Sequence, residues 1–465
     1  MGRLTRRHFT SGLAAAAAFG FPAIARAQGA ARIVIIGGGA GGATVASRLK
    51  LAAPQLDVTL IEARAAYTTC FHSNLYLGGL RSYASLVQSY DGLRALGVNV
   101  VTGAASDVDT AAKAVKLADG SPVPYDRLVL SPGIAFKYEA IEDYSADAAE
   151  IMPHAWQAGP QTQLLKRQIA GMRNGGTVVM TVPALPYRCP PAPYERACMI
   201  AHYLKAHKPK SKLILVDAKR SFIQQALFED AFATLYKDQI EVVLSDELDD
   251  NTVARVDTAT GEVETKAGRK IVADVANIIP PQCAGEIAVK AGCADGDWCP
   301  IAVESFKSAR VGDVYVIGDS AAANDMPKSA SSASSQARIV AADILAAVAG
   351  KERVAASYSS NCWSVLAPDD GVKIAASFAP GTKDGKPALV SSGFQASATG
   401  ESADVRRQTY EESLAWYDTI TEDAFARKAP GAAPAPAAPT EPAAEPAPED
   451  EPPHPRRRSR RHRRG

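Results

Sequence analysis

Three groups of residues in this sequence could do chemistry. The first is the glycine run Gly37-x-Gly39-x-x-Gly42, preceded by Ile33-Val-Ile-Ile36 and followed by Ala43 to Lys50. A four-residue branched apolar run reads as a strand buried on both faces, and the stretch after the glycines reads as a helix. There Gly37 permits the tight turn, Gly39 lets the backbone approach a pyrophosphate, and Gly42 lets helix and strand pack closely. The phosphates would sit on the helix N-terminus. A lone glycine fingerprint arises by chance, but here a second strand, Asp57 to Ile61, ends at Glu62, twenty residues past Gly42. A carboxylate at that point accepts both ribose hydroxyls of an adenosine.

The second group is Val314-Tyr-Val-Ile-Gly318-Asp319, a buried strand whose terminal aspartate can accept from ribityl hydroxyls and whose glycine admits the nearby phosphate. It lies about 280 residues beyond the first fingerprint, a partnership specific to flavoproteins with two dinucleotide domains. The cofactor expected is FAD. The helix from Ser331 to Val348 should aim its N-terminus at the pyrimidine edge of the flavin ring and stabilise the reduced anion.

The third group is the seven cysteines at 70, 189, 198, 283, 293, 299 and 362. None has zinc-knuckle spacing and no Cys-x-x-Cys-His haem attachment occurs, so no metal site is expected. A loop that follows the ribose carboxylate runs along the cofactor toward its ring, which places Cys70 near the flavin; a lone cysteine is otherwise a small buried residue. An odd count in an exported chain leaves one thiol unpaired or covalently committed. One economical assignment attaches Cys70 to the flavin and pairs Cys189 with Cys362, although sequence alone does not fix that pairing.

The positioning elements read as α/β. Lys113 to Leu117 looks like a short antiparallel insertion with Val98 to Val101, turned at Asp119-Gly120, and Tyr125 to Gly133 returns to the first sheet. A helix from Leu164 to Arg173 precedes a second unit opening at Thr177-Val-Val-Met-Thr-Val182. Where a nicotinamide-binding domain carries its glycine fingerprint, the chain runs Pro183-Ala-Leu-Pro-Tyr-Arg-Cys189-Pro-Pro191, with no glycine to admit a pyrophosphate. The helix Ala192 to Lys205 carries Glu195 in its first turn, where a glutamate is also ordinary dipole compensation. Leu213 to Asp217, Ile240 to Ser245 and Val263 to Lys266 complete that unit, and Asp274 to Pro281 crosses back. Asn361-Cys362 falls between a helix and the strand Gly371 to Phe378, which pairs with Leu389 to Phe394, and Glu411 to Phe425 is a closing helix whose Trp416 and Tyr417 read as core.

The expected fold is two Rossmann-like dinucleotide-binding domains of glutathione-reductase type plus a C-terminal α+β module. The FAD domain is discontinuous, 31–155 and 295–356; the second domain is 156–294; the module is 357–428. At 465 residues and 47% hydrophobic the chain can bury two or three cores. Residues 1–27 hold four arginines and no acid, and the tail from Ala429 holds seven arginines against five acids, so a net charge of +1 leaves a body at −5. Nothing in that balance suggests nucleic acid. Thr5-Arg-Arg-His-Phe9, the apolar run Leu13 to Phe21 and Ala25-Arg-Ala27 read as a twin-arginine export signal cleaved after Ala27, with the periplasm as destination. The run is too short to span a bilayer and no other stretch is long enough, so no integral membrane segment is expected. Residues 429–465, Pro/Ala-rich and then Arg-rich, read as a disordered, solvated tail.

From residues 31 to 428 the sequence resembles the flavoprotein subunit of flavocytochrome c sulfide dehydrogenase. The resemblance rests on Tyr67-Thr-Thr-Cys70 with Ser73-Asn74, Pro153-His-Ala-Trp156, Tyr187-Arg-Cys-Pro-Pro191, Pro193-Tyr-Glu-Arg196, Met326-Pro-Lys-Ser329 and Asn361-Cys362. It implies a thioether from Cys70 to the flavin, a redox disulfide of Cys189 and Cys362, an acid/base role for Glu195, and cofactor contacts from Asn74 and Lys328. Cys198, Cys283, Cys293 and Cys299 receive no role. The implied reaction starts with hydrosulfide attacking the disulfide, Arg188 or a helix N-terminus lowering the pKa of Cys189. The electron pair passes to the flavin, and a separate c-type cytochrome takes electrons singly. A sulfide:quinone oxidoreductase and a non-catalytic flavoprotein partner of a cytochrome are the competing readings; a purely structural disulfide, contributing about 2–4 kcal/mol, is the bland one.

Overall fold

The computed structural model describes residues 31–427 except Leu248. The export signal (1–27) and the tail (429–465) lie outside the described residues. In chain order the elements that frame the site are β1 (Arg32–Ile36), α1 (Ala40–Ala52), β2 (Asp57–Glu62), α2 (Ser73–Gly78), β3 (Asn99–Thr102), β4 (Arg127–Leu130), β5 (Thr177–Val182), α3 (Ala192–His207), β6 (Lys212–Asp217), β7 (Ile240–Val243), β8 (Val275–Ile278), β9 (Val314–Val316), α4 (Ala330–Val348), β10 (Tyr358–Ala367), β11 (Asp370–Lys383), β12 (Lys386–Ala396) and α5 (Ala403–Phe425).

Two parallel sheets carry the molecule. The first runs β9-β4-β1-β2-β3, and its central strand buries Ile33, Val34, Ile35 and Ile36. Strand order reverses between β1 and β4, and the crevice beyond the carboxyl ends at such a reversal is where open α/β sheets take ligands. The second sheet, β7-β6-β5-β8, repeats the same winding and buries Val178, Met180, Leu213 and Leu215 against α3 and its neighbours. The third sheet, β10-β11-β12, is antiparallel, and α5 lies against it and against α1.

Four placements differ from those expected. Val98 to Val101 is not part of the antiparallel insertion: Asn99–Thr102 closes the first parallel sheet beside β2, and the insertion is built from Ala105–Asp109, Ala114–Leu117 and Pro122–Pro124. As an edge strand, β3 is half exposed and lacks the continuous apolar run that marks a central one. Val275–Ile278 does not cross back but pairs with β5, its pattern interrupted by the buried Asn277. Glu262–Thr265 leaves the parallel sheet for a small antiparallel one with Val253–Asp257 and Lys270–Val272.

The fourth difference concerns Cys362, which sits inside a ten-residue strand rather than in a connection. One edge of β10 pairs with β11; the other is satisfied by side chains of α4. Ser331 Oγ accepts from Asn361 N at 2.9 Å, and Ser335 Oγ accepts from Ser359 N at 2.9 Å. Four residues of helix rise about 6 Å and two residues of strand advance about 6.6 Å, so serines one turn apart match alternate strand amides. The serine-rich start of α4 stands in for a fourth strand.

Candidate active site

The turn after β1 opens a cavity of ≈ 340 Å³ that runs between the three units. Gly37 has φ +97°, and a Cβ there would lie 2.2 Å from Ser131 O. A Cβ on Gly42 would lie 2.0 Å from Gly37 O, so the first helical turn can approach the strand only as glycine. Gly39 lies on the cavity wall against the Tyr67 ring, 3.3 Å from where its Cβ would be. Glu62 closes this end: its Oε2 accepts from Gly38 N at 2.7 Å, which holds the carboxylate beside the glycine loop.

Farther along, Gly318 and Asp319 follow β9 onto the cavity wall. Burial pushes the Asp319 carboxyl up from its usual range; its Oδ1 has no hydrogen-bond partner, and Oδ2 lies 3.7 Å from Arg188 Nη1. A buried, unpartnered carboxylate oxygen suits a hydroxyl donor. This orphan at a cavity wall that begins at a dinucleotide-type glycine turn fits the ribityl chain of FAD. Cys70 also lines the cavity, downstream of Glu62, with Arg188 and Tyr67 facing it.

Of the residues expected to serve the cofactor, Gly42 stands behind the cavity and contributes through close packing, as its place in the fingerprint implies, and two others act differently. Lys328 is turned away: its ammonium donates to Asp319 O and Ala321 O, both at 2.8 Å, and lies 3.6 Å over the Trp298 ring, with burial lowering its pKa to about 8. Its backbone carbonyl instead accepts from Cys189 N at 2.8 Å. Asn74 reaches the cavity wall, but its amide is committed to the protein. Nδ2 donates to Glu195 Oε2 at 2.7 Å, while Oδ1 accepts from Arg196 Nε at 2.9 Å.

The structure brings Cys189 and Cys362 together on that wall, their thiols within hydrogen-bonding reach of each other. Cys189 enters from the loop after β5 with φ +57°, a left-handed conformation costly for a side chain other than Gly or Asn. Its thiol is pushed up, first by donating to Cys362 and then by burial. The Cys362 thiol is pulled down, first by that hydrogen bond and further by Ser329 and Ser360. The expectation that Arg188 would make Cys189 the thiolate is therefore reversed. Arg188 does favour the Cys189 anion, but its contribution is the smallest and hydrogen bonding decides for Cys362.

Glu195, buried at the start of α3, ties both cysteine-bearing segments together. It lies six residues after Cys189, and its Oε1 accepts from Val365 N at 2.9 Å, three residues after Cys362. Burial raises its pKa above the ordinary glutamate value. Behind it Arg196, 2% exposed, donates to Asn74, His154 O, Asn277 and Ala155 O, and its guanidinium lies 4.6 Å over the Trp156 ring. Sequence reasoning missed Arg196, whose signal was its place in Pro193-Tyr-Glu-Arg196, and missed Trp363 and Trp416, which line the cavity with rings 5.2 Å apart. Tyr417 is core, as expected.

In the second domain the position of a nucleotide carboxylate, Asp217 at the end of β6, is already filled. Tyr194 donates to its Oδ2 at 2.6 Å and Lys219 Nζ to its Oδ1 at 2.6 Å, and Phe222 stacks on Tyr194 with centroids 3.7 Å apart.

One glycine cradle, one plugged cradle and a cysteine pair between them define a two-dinucleotide-domain flavoprotein of the disulfide-oxidoreductase class. Residues 31–154 match the pyridine nucleotide-disulphide oxidoreductase family. Residues 162–280 match the central region of the sulfide dehydrogenase (flavocytochrome c) flavoprotein chain, and residues 354–425 match the flavocytochrome c sulphide dehydrogenase flavin-binding region. The chain belongs to the flavocytochrome c sulfide dehydrogenase flavoprotein family. It is 46% identical over 46 residues, 10% of this chain and 96% of the compared sequence, to such a flavoprotein chain from Chlorobaculum thiosulfatiphilum. It is 20% identical over 62% of its length to the mitochondrial sulfide:quinone oxidoreductase of Mus musculus, of whose length the match spans 65%. Its fold is similar to that of the sulfide:quinone oxidoreductase of Aquifex aeolicus, with TM-score 0.62 and 19% identity over 85% of this chain and 93% of that one. It is also similar to putidaredoxin reductase in its covalent complex with putidaredoxin, with TM-score 0.61 and 16% identity over 86% of this chain and 100% of that one.

Proposed function

We propose that this protein oxidises hydrosulfide to sulfane sulfur or polysulfide through a redox disulfide of Cys189 and Cys362, and passes the electrons to a separate c-type cytochrome. The observation that carries the reading is the juxtaposition of these two thiols at a wall of the flavin cavity, with Glu195 fixed between their segments. Loss of two electrons and two protons from the thiols gives the disulfide. Hydrosulfide attacks one sulfur; the S–S bond breaks, leaving a persulfide on that cysteine and a thiolate on the other. The buried Glu195 carboxylate takes the persulfide proton and passes it to solvent. The Cys362 thiolate then re-forms its bond to Cys189 Sγ as the outer sulfur leaves at the sulfane level, which releases one electron pair. FAD, when bound, would supply the acceptor for that pair and the means of giving it up one electron at a time. Cys70, on the cavity wall, is the residue we assign to a thioether with it. Asp319 would accept from the ribityl hydroxyls with Arg188 beside it, and Trp363 and Trp416 line the same cavity.

The twin-arginine signal and a periplasmic location belong to the same proposal and rest on residues 1–27 alone. Relatives that are sulfide:quinone oxidoreductases keep quinone as the second candidate acceptor. The exposed side of α5 carries Glu411 and Asp418, a poor face for lying in a membrane, and among the described residues no helix is long and apolar enough to cross one. Stopped-flow mixing of the purified flavoprotein with sulfide should bleach the flavin, and cytochrome c should reoxidise it faster than decylubiquinone. Bleaching at full rate in Cys189→Ser would refute the disulfide route, and absence of bleaching in the intact protein would leave only a non-catalytic partner.

A further inference from the structure

The hydroxyl groups around Cys362 form a cluster that the reaction above does not use. Ser360 and Cys362 are two apart on β10 and therefore share a face. Ser329 caps α4, its Oγ accepting from Ser332 N at 3.1 Å. The three buried hydroxyls lie in mutual contact: Ser332 Oγ is 2.9 Å from Ser360 Oγ, Ser329 Oγ is 3.0 Å from Ser332 Oγ, and Ser329 Oγ is 3.3 Å from Ser360 Oγ. The Ser332 proton goes to Ser360 Oγ, so the Ser360 proton is free for another acceptor. The Cys362 sulfur is within hydrogen-bonding reach of Ser360 and of Ser329. A thiol has a proton of its own to place, whereas a thiolate offers only acceptor capacity. The Ser329 proton goes to Ser332 Oγ in turn, so the chain of hydroxyls ends in one free proton, that of Ser360, and this proton on the sulfur, beside the positive end of a 19-residue helix, suits the anion. None of the groups that shift the Cys189 thiol, which are Cys362, Glu195 and Arg188, is a hydroxyl.

We propose that Ser329, Ser332 and Ser360 fix the polarity of the sulfur pair, so that Cys362 is the sulfur that leaves as thiolate and Cys189 is the sulfur that hydrosulfide attacks. The inference rests on the proposed function and adds the direction of the attack. The step is balanced: the incoming sulfur bonds to Cys189 Sγ, the Cys189–Cys362 bond breaks, and its electron pair stays on Cys362. The hydrosulfide proton remains on the Cys189 persulfide until Glu195 takes it. Burial and the Glu195 charge oppose the Cys362 anion, and the Cys189 thiol of the reduced pair, together with the serine hydroxyls, outweighs them. Ser329, Ser332 and Ser360 are positioning residues in this scheme, acting through the sulfur they hold.

The test needs no turnover. Anaerobic holoenzyme reduced with a phosphine is pulsed with iodoacetamide across a pH series, and the Cys189 and Cys362 peptides are quantified by mass spectrometry. Cys362 should alkylate with the lower midpoint. Ser360→Ala should raise that midpoint by about 1–2 pH units, the worth of one hydrogen bond to a charged group, and Ser360→Thr should keep it. A lower midpoint at Cys189, or a Cys362 midpoint unmoved in Ser360→Ala, overturns the proposal. Separately, one equivalent of sulfide added to the oxidised holoenzyme should leave persulfide on the Cys189 peptide, and persulfide on Cys362 overturns it equally. If sulfide fails to bleach the wild-type flavin while the alkylation midpoints fall as stated, the proposed function fails and the polarity stands.

Discussion

Glu195→Gln replaces one carboxylate oxygen by an amide nitrogen where the surroundings hold only donors. Oε1 accepts from Val365 N at 2.9 Å and Oε2 from Asn74 Nδ2 at 2.7 Å. Asn74 cannot turn to offer its oxygen, because Arg196 Nε requires that oxygen at 2.9 Å. The new amide at 195 must therefore set an N–H against an N–H and leave a buried donor unpaired, a loss of about 1–3 kcal/mol. Its effect on rate should be larger, since a positioned acid/base contributes about 10²–10⁴-fold. In wild type, sulfide-dependent bleaching should fall as the pH drops through the raised pKa of Glu195, and the variant should lose that limb. Stability carries the same signature. A carboxyl with a raised folded pKa stabilises fully below its unfolded value, and that contribution is lost as pH rises through the folded value, so the variant flattens the slope. Adding Asn74→Asp supplies an acceptor to the 195 amide and to Arg196 together, while giving up the Nδ2 donation to Ala192 O at 3.2 Å. The double variant should regain part of the lost melting temperature and none of the lost rate in stopped flow. A Glu195→Gln protein that melts like wild type, or bleaches at the wild-type rate with an unchanged pH profile, refutes the reasoning.

Two further outcomes follow from the cofactor end. Gly42→Ala drives a methyl group to 2.0 Å from the backbone oxygen of Gly37, a clash no rotamer relieves, and should cost about 1–3 kcal/mol or more as the helix is pushed off the strand. Flavin content of the purified variant should fall in proportion, and full occupancy would show that the turn can widen. Cys70→Ser should still load FAD through the glycine cradle, but acid denaturation should release the yellow colour into the supernatant. Colour that stays with the wild-type polypeptide and also with the variant would move the attachment to another residue.

Motifs that serve the cofactor were legible because their demands are local. A glycine turn needs its neighbours within a few residues, and β1, β2 and β9, the strand that precedes Gly318 and Asp319, announce themselves by buried apolar runs. Edge and polar-interrupted strands did not. Asn99–Thr102 lacks a buried face to fill, and Val275–Ile278 contains Asn277, whose amide exists to bond Arg196, Pro153 O and His154 O. The sulfur pair was suggested by cysteine arithmetic and by resemblance, yet which sulfur is the anion could not be read from either. That depends on Ser360, two residues from Cys362, and on Ser329 and Ser332, which are 31 and 28 residues before Ser360 and are brought to β10 because α4 replaces a sheet neighbour. Trp416 and Tyr417 show the same limit: adjacent on one helix, they point to the cavity and to the core respectively, and only packing distinguishes them.

The second parallel sheet explains why a cysteine can stand at this point. A doubly wound unit delivers the loop after its first strand to the molecule's centre whatever that loop contains. Here Asp217, at the end of the neighbouring strand, is neutralised by Lys219 and satisfied by Tyr194, so no ligand is needed to keep β6 stable. The loop after β5 is then free of phosphate-binding duty. Its backbone is instead pinned by Cys189 N on Lys328 O and by Arg188 N on Gln282 Oε1 at 2.9 Å, which ties it to the FAD-domain segment around Met326 and to the strand pairing the two domains. Held at both residues, Cys189 keeps its left-handed φ and faces Cys362 rather than the second domain's own crevice. The sulfur chemistry proposed here thus occupies the route by which a nicotinamide would deliver its electrons, and it does so with the topology of that route intact.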